Sequence, residues 1–88
     1  MRIRRLVEEL VSELRAFEPG VLAGEECAAL VECFARAEKA LGAARARSAL
    51  HAAACGAHRA RGFRDPADWV ARATGGTARG ARAELETT

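Results

Sequence analysis

Apolar residues near the start of the chain recur in a fixed rhythm: Ile3, Val7, Leu10, Leu14 and Phe17 are spaced by four, three, four and three residues. Leu6 and Val11 widen this stripe, and Arg5, Glu8, Glu9, Ser12, Glu13 and Arg15 fill the other face. Alternating steps of three and four keep side chains on one face of a helix that turns every 3.6 residues. Residues 1–18 are therefore predicted to form an amphipathic helix with a coiled-coil-like seam. Its polar face carries both signs of charge, which suits packing against a partner helix better than lying on a membrane. Glu18-Pro19-Gly20 closes the segment with a turn.

A longer rhythm follows. Between Gly24 and Gly56 there is no proline and a single glycine, Gly42. Cys27, Phe34, Leu41, Ser48 and Cys55 repeat every seven residues, with Leu30 or Val31, Ala37, Ala44 and His51 or Ala52 in the intervening positions. Residues 24–56 are predicted as one helix of about 45 Å at 1.5 Å per residue. Gly24 is the expected N-cap, and Glu25 and Glu26 occupy the first turn, where the helix dipole favours anions. The first helix can cover only the N-terminal half of this long one. The alanine-rich stretch from Ala43 to Ala54 then has to pack on the C-terminal helices, on another protomer or on sequence outside the chain.

Beyond Gly56 the pattern shortens. Gly56 and Gly62 bracket a basic segment, Ala57 to Arg61, expected as a linker. Asp65 is placed to cap a helix that starts at Pro66, with Asp68 in the first turn. Trp69, Val70 and Ala73 form its apolar side, and Gly75 is suited to the left-handed terminator. Thr77 can cap a last helix whose inward face is Ala78 or Ala81 with Leu85. Ala71, Gly75, Ala81 and Leu85 follow the small-residue, turn-glycine and apolar spacing of a helix-turn-helix, so residues 65–86 are predicted as such a pair. A plain helix hairpin closing the bundle is the alternative.

The expected fold is all-α: a helix hairpin with one long Ala-rich helix, followed by the helix-turn-helix-like pair, in a single domain over residues 1–88. Composition agrees, since 22 of the 88 residues are alanine and Asn, Gln and Tyr are absent. Alanine favours helix and buries little area, so close helix packing is expected rather than a thick core.

Net charge is only +2, but its distribution is uneven. Residues 39–64 hold Lys39, Arg45, Arg47, Arg59, Arg61 and Arg64 with no acidic residue, and thirteen of the fourteen cations are arginine, suited to bidentate phosphate binding. Duplex DNA is the anionic partner this suggests. The residues expected to touch it are Arg59, Arg61 and Arg64 before the helix pair, and Thr77, Arg79 and Arg82 on its second helix. Self-association through the long helix is the other partner expected. Three cysteines without a secretory signal point to a reducing, cytoplasmic setting, and no apolar run is long enough to cross a membrane.

Candidate chemistry is sparse. His51, Cys55 and His58 fall at helical spacings of four and three, but Cys27 lies roughly 40 Å along the helix and cannot complete a zinc site. A partly buried His51 and ordinary core cysteines are the expectation. Glu32 beside Cys33 disfavours a reactive thiolate. Glu8-Glu9 and Glu25-Glu26 diverge on their helices, and Gly75-Gly76 lacks the strand and lysine of a phosphate loop. No catalytic residue, metal or cofactor is assigned, and the chain is expected not to be an enzyme.

Several blocks together resemble the actinobacterial 13E12 repeat family. They are Leu22 to Glu26; Leu30-Val31-Glu32 with Phe34; Ala43 to Arg47; Gly62; Asp65-Pro66-Ala67-Asp68-Trp69-Val70-Ala71-Arg72; Thr74-Gly75; Gly80-Ala81-Arg82; and Leu85-Glu86-Thr87. The likeness spans about three quarters of the chain. That family is a domain of unknown function that ordinarily precedes an HNH nuclease module, so the resemblance implies an all-helical, DNA-processing-associated unit matching its N-terminal part. HNH chemistry needs histidines and an Asn; only His51 and His58 occur, and Asn is absent. The functional expectations are a non-catalytic DNA-associated module, a protein-interaction or oligomerisation module, or a truncated fragment without independent function.

Overall fold

The periodicity at the start of the chain forms the first helix of a computed structural model that describes residues 1–87. In order, α1 spans Arg2–Arg15, α2 Gly24–Ala54, α3 Ala57–Ala60, α4 Pro66–Thr74 and α5 Ala78–Thr87, with a one-turn 3-10 helix at Pro19–Val21. No strand occurs among the described residues, so the fold is all-α with one long helix. The chain divides into two compact units, Met1–Ala35 and the residues from Arg36 onward, and α2 runs through the boundary.

In the first unit, α1 ends where the Ala16 and Phe17 amides turn back to the Glu13 and Leu14 carbonyls. The Glu18 carboxylate accepts from the Gly20 amide at 3.1 Å and caps the 3-10 turn begun by Pro19. Phe17 then meets Phe34 edge to face, with ring centroids 6.0 Å apart, an arrangement worth about 0.5–1.5 kcal/mol beyond the area it covers. Leu22, Cys27 and Leu30 are half-buried around this corner, but α1 itself has no buried residue. Its whole apolar stripe is exposed.

Two expectations about α2 are corrected. Gly24 is not the cap: the Cys27 amide bonds to the Ala23 carbonyl at 3.1 Å, which puts Gly24 inside the first turn. The helix also stops at Ala54 rather than at residue 56, because Gly56 adopts φ +76°. Gly42, with no such reversal, interrupts nothing.

The segment between Gly56 and Gly62 is not a linker but the single turn of α3. Both glycines are left-handed, at φ +76° and +90°, so the chain reverses at each end. Between them the Arg59 amide reaches the Gly56 carbonyl, and the Phe63 amide reaches that of His58. This turn buries His58, which is 3% exposed, while His51 on α2 is exposed. The expected partial burial of His51 is corrected, since α2 presents position 51 to solvent, and α3 folds position 58 inward instead. Nor are Cys27 and Cys55 core residues, since Cys55 is exposed and Cys27 half-buried; Cys33, six residues off the stripe of Cys27, is exposed, as that offset allows.

The core of the second unit is Ala49 of α2, Ala67 and Val70 of α4 and Ala81 of α5, with Trp69, Ala71 and Leu85 packed against it. Three alanines here bring helices close while burying little area, so Val70 supplies the largest fully apolar contribution, about 1.5–3 kcal/mol. Ala73, expected on the inner face of α4, is exposed. A helix starting at Pro66 turns positions 67, 70 and 71 inward together, and position 73 lies about a third of a turn off that line.

Candidate nucleic-acid interface

The helix pair α4–α5 is held at its start by one carboxylate. Asp65 Oδ1 accepts from the Ala67 amide at 2.9 Å, the N-cap its position predicts. Its other oxygen, Oδ2, accepts from Arg82 Nη2 at 2.7 Å, joining the first turn of α4 to the middle of α5. The Ala67 amide and, after it, the Arg82 guanidinium hold the Asp65 carboxyl below its ordinary value of 3.8, and Arg82 is held more firmly protonated by the same interaction.

The effect of acidification on this tie has a defined sign. The folded carboxyl titrates below the unfolded one, so its stabilisation is complete above about pH 3.8 and fades as pH falls through the lowered folded value. Asp65→Ala is expected to lower the melting temperature at pH 7 and to flatten its fall between pH 5 and pH 3. Asp65→Asn keeps a capping oxygen and should lose less at pH 7. Melting followed by circular dichroism across that range checks both outcomes.

The turn is built as its sequence predicts. Gly75 ends α4 at φ +75°, where a side chain would be strained. Thr74 Oγ1 donates to the Val70 carbonyl at 2.9 Å and accepts from the Gly76 amide at 3.4 Å. Thr77 Oγ1 accepts from the Gly80 amide at 3.0 Å, and its carbonyl accepts from the Ala81 amide, so Thr77 caps α5. Arg45 Nη2 reaches Glu84 Oε1 at 3.0 Å, a tie between α2 and α5 that the sequence does not reveal.

All six residues expected to touch DNA are exposed, and three of them also make a contact within the fold. Arg82 is engaged with Asp65, Thr77 with the cap of α5, and the Arg61 guanidinium lies over the Trp69 ring, 5.8 Å from its centroid. Arg59 on α3, Arg64 ahead of the Asp65 cap and Arg79 on α5 are exposed. Arg72, in the last turn of α4, is a further exposed cation on this helix pair that its sequence position did not single out. From Arg36 onward the unit has ten basic against five acidic side chains, a net +5, whereas Met1–Ala35 has four against seven, a net −3.

A cleft of about 320 Å³ beside Trp69 is lined by Arg45, Ser48, Ala49, Ala52, Val70, Ala73 and Thr74, with no carboxylate, imidazole or thiol. On α2, His51 Nε2 lies 3.6 Å from Cys55 Sγ. His58 is buried on α3 with Nδ1 unpartnered, and among the described residues no three metal-ligating side chains gather. Among the described residues, no helix is long and apolar enough to cross a membrane. Compared with protein-family models, curated proteins and solved structures, the chain matches none of them.

Proposed function

We propose that the chain is a non-catalytic helical module of the cytoplasm that holds duplex DNA by its phosphates, related to the N-terminal part of the 13E12 repeat proteins. The observation that carries this reading is the net +5 of the second unit, with Arg59, Arg64, Arg72 and Arg79 all exposed on or beside its helix pair. Arginine in that setting neutralises phosphates and releases condensed counterions. These side chains position DNA rather than read it, because Thr77 and Arg82, the groups at hand for base edges, are spent on the fold.

Anisotropy titrations of the full chain against a labelled duplex, repeated at rising salt, test this. Neutralising four phosphates corresponds to a slope of roughly −3.6 in log affinity against log salt. Unrelated duplexes of equal length should bind alike. Failure to bind even at low salt rejects the proposal.

A protein-interaction reading is favoured by a different observation, the apolar stripe of α1, none of whose residues is buried.

A further inference from the structure

We propose that α1 pairs with α1 of a second copy of this chain, antiparallel, through the seam formed by Ile3, Val7, Leu10 and Leu14. These side chains are 68, 37, 41 and 43% exposed, and no residue of α1 is buried. Their spacing is nonetheless that of a coiled-coil seam, in which each knob needs a facing helix. A twofold partner satisfies that need with the same surface. Ile3 of one copy packs against Leu14 of the other, and Val7 against Leu10, which yields four apolar layers from one helix used twice.

Charge selects the orientation. Arg2, Arg4 and Arg5 make the start of α1 positive, and Glu8, Glu9 and Glu13 make the remainder negative overall. Antiparallel pairing sets Arg2 of one helix beside Glu13 of the other and opposes the two helix dipoles. Parallel pairing would align like charges end to end. The antiparallel register also carries Met1, 88% exposed, toward Phe17 of the other copy. There a hollow of about 120 Å³ lies among Phe17, Cys27, Leu30, Val31 and Phe34. Fourteen helical residues span about 21 Å, a short seam, so the dimer is expected to be reversible.

Sedimentation equilibrium of the full chain from micromolar to millimolar concentration tests the pairing. A monomer–dimer equilibrium is expected, weakened at least about tenfold by Leu10→Glu, which buries a charge at the centre of the seam twice. Trp69 fluorescence should stay unchanged in that variant, since Leu10 is exposed on α1 and outside the core that surrounds Trp69. Glu13→Arg should weaken the dimer, and adding Arg2→Glu should restore it. A chain that stays monomeric throughout overturns the proposal. So does a dimer indifferent to Leu10→Glu, which would assign association to another face, and so does a dimer tightened by Glu13→Arg, which would require parallel helices.

Discussion

Val70→Asp unfolds the second unit at ambient temperature. Val70 is 3% exposed at the meeting of α4 with α2 and α5, among Ala49, Ala67 and Ala81. The position is almost wholly shielded from solvent, although the neighbouring cleft also carries Arg45 and Ser48, so a carboxylate there loses most of its hydration. Leaving a buried charge uncompensated costs about 3–5 kcal/mol. A unit of about fifty residues has roughly 3–8 kcal/mol of net stability to lose, so the substitution consumes most or all of it. Trp69, half-buried beside Val70, reports the event: its emission shifts to the red and its near-ultraviolet dichroism disappears. Ala73→Asp on the exposed side of the same helix is the control and should stay within about 0.5 kcal/mol of the parent in urea melts. If the two variants melt alike, Val70 is not at the centre of the core.

Combined replacement of Arg59, Arg64 and Arg79 by Ala should remove most of the DNA affinity while leaving the fold intact. All three are exposed, and none contributes to the core. Each phosphate left without its arginine takes about 0.9 from the salt slope, so the triple variant should flatten it by roughly 2.7. At low salt this amounts to about a hundredfold or more in affinity, falling equally on all sequences. Arg82→Ala provides the contrast. It breaks the bond to Asp65, so its first effect should be a lower melting temperature, and any weaker binding should follow from that. A triple variant that binds as well as the parent would remove the basis of the DNA proposal.

Helices α1, α4 and α5 were legible because the information for them is local, whereas α3 was not. The three–four rhythm of α1, the Asp65-Pro66 start of α4, the Gly75 stop and the Thr77 cap each depend on a few neighbouring residues. What could not be read was which faces find a partner. Alternation at Ile3, Val7, Leu10 and Leu14 marks a face that ought to be covered, yet within one chain it is not. His51 and His58 look alike in sequence, and only the paired reversals at Gly56 and Gly62 distinguish the buried one. Those reversals were the available signal: two glycines six apart around an apolar-basic segment can close one turn as readily as flank a linker. The candidate interface was half legible. Arg59 and Arg64 lie exposed as charge distribution suggested and Arg79 as its place on the last helix suggested, whereas the ties of Arg82 to Asp65 and Arg45 to Glu84 join residues far apart in sequence.

The alanine core has a thermal consequence. Heat capacity on unfolding scales with the apolar surface released to water, commonly about 12–15 cal/mol/K per residue. Among the described residues the buried apolar side chains of the unit are three alanines and a valine, with Trp69, Ala71 and Leu85 partly covered, so it releases less such surface than a core of large side chains would. Its stability curve is therefore shallow: the unfolding enthalpy changes slowly with temperature, cold weakens the fold only slightly, and the melt is spread over many degrees.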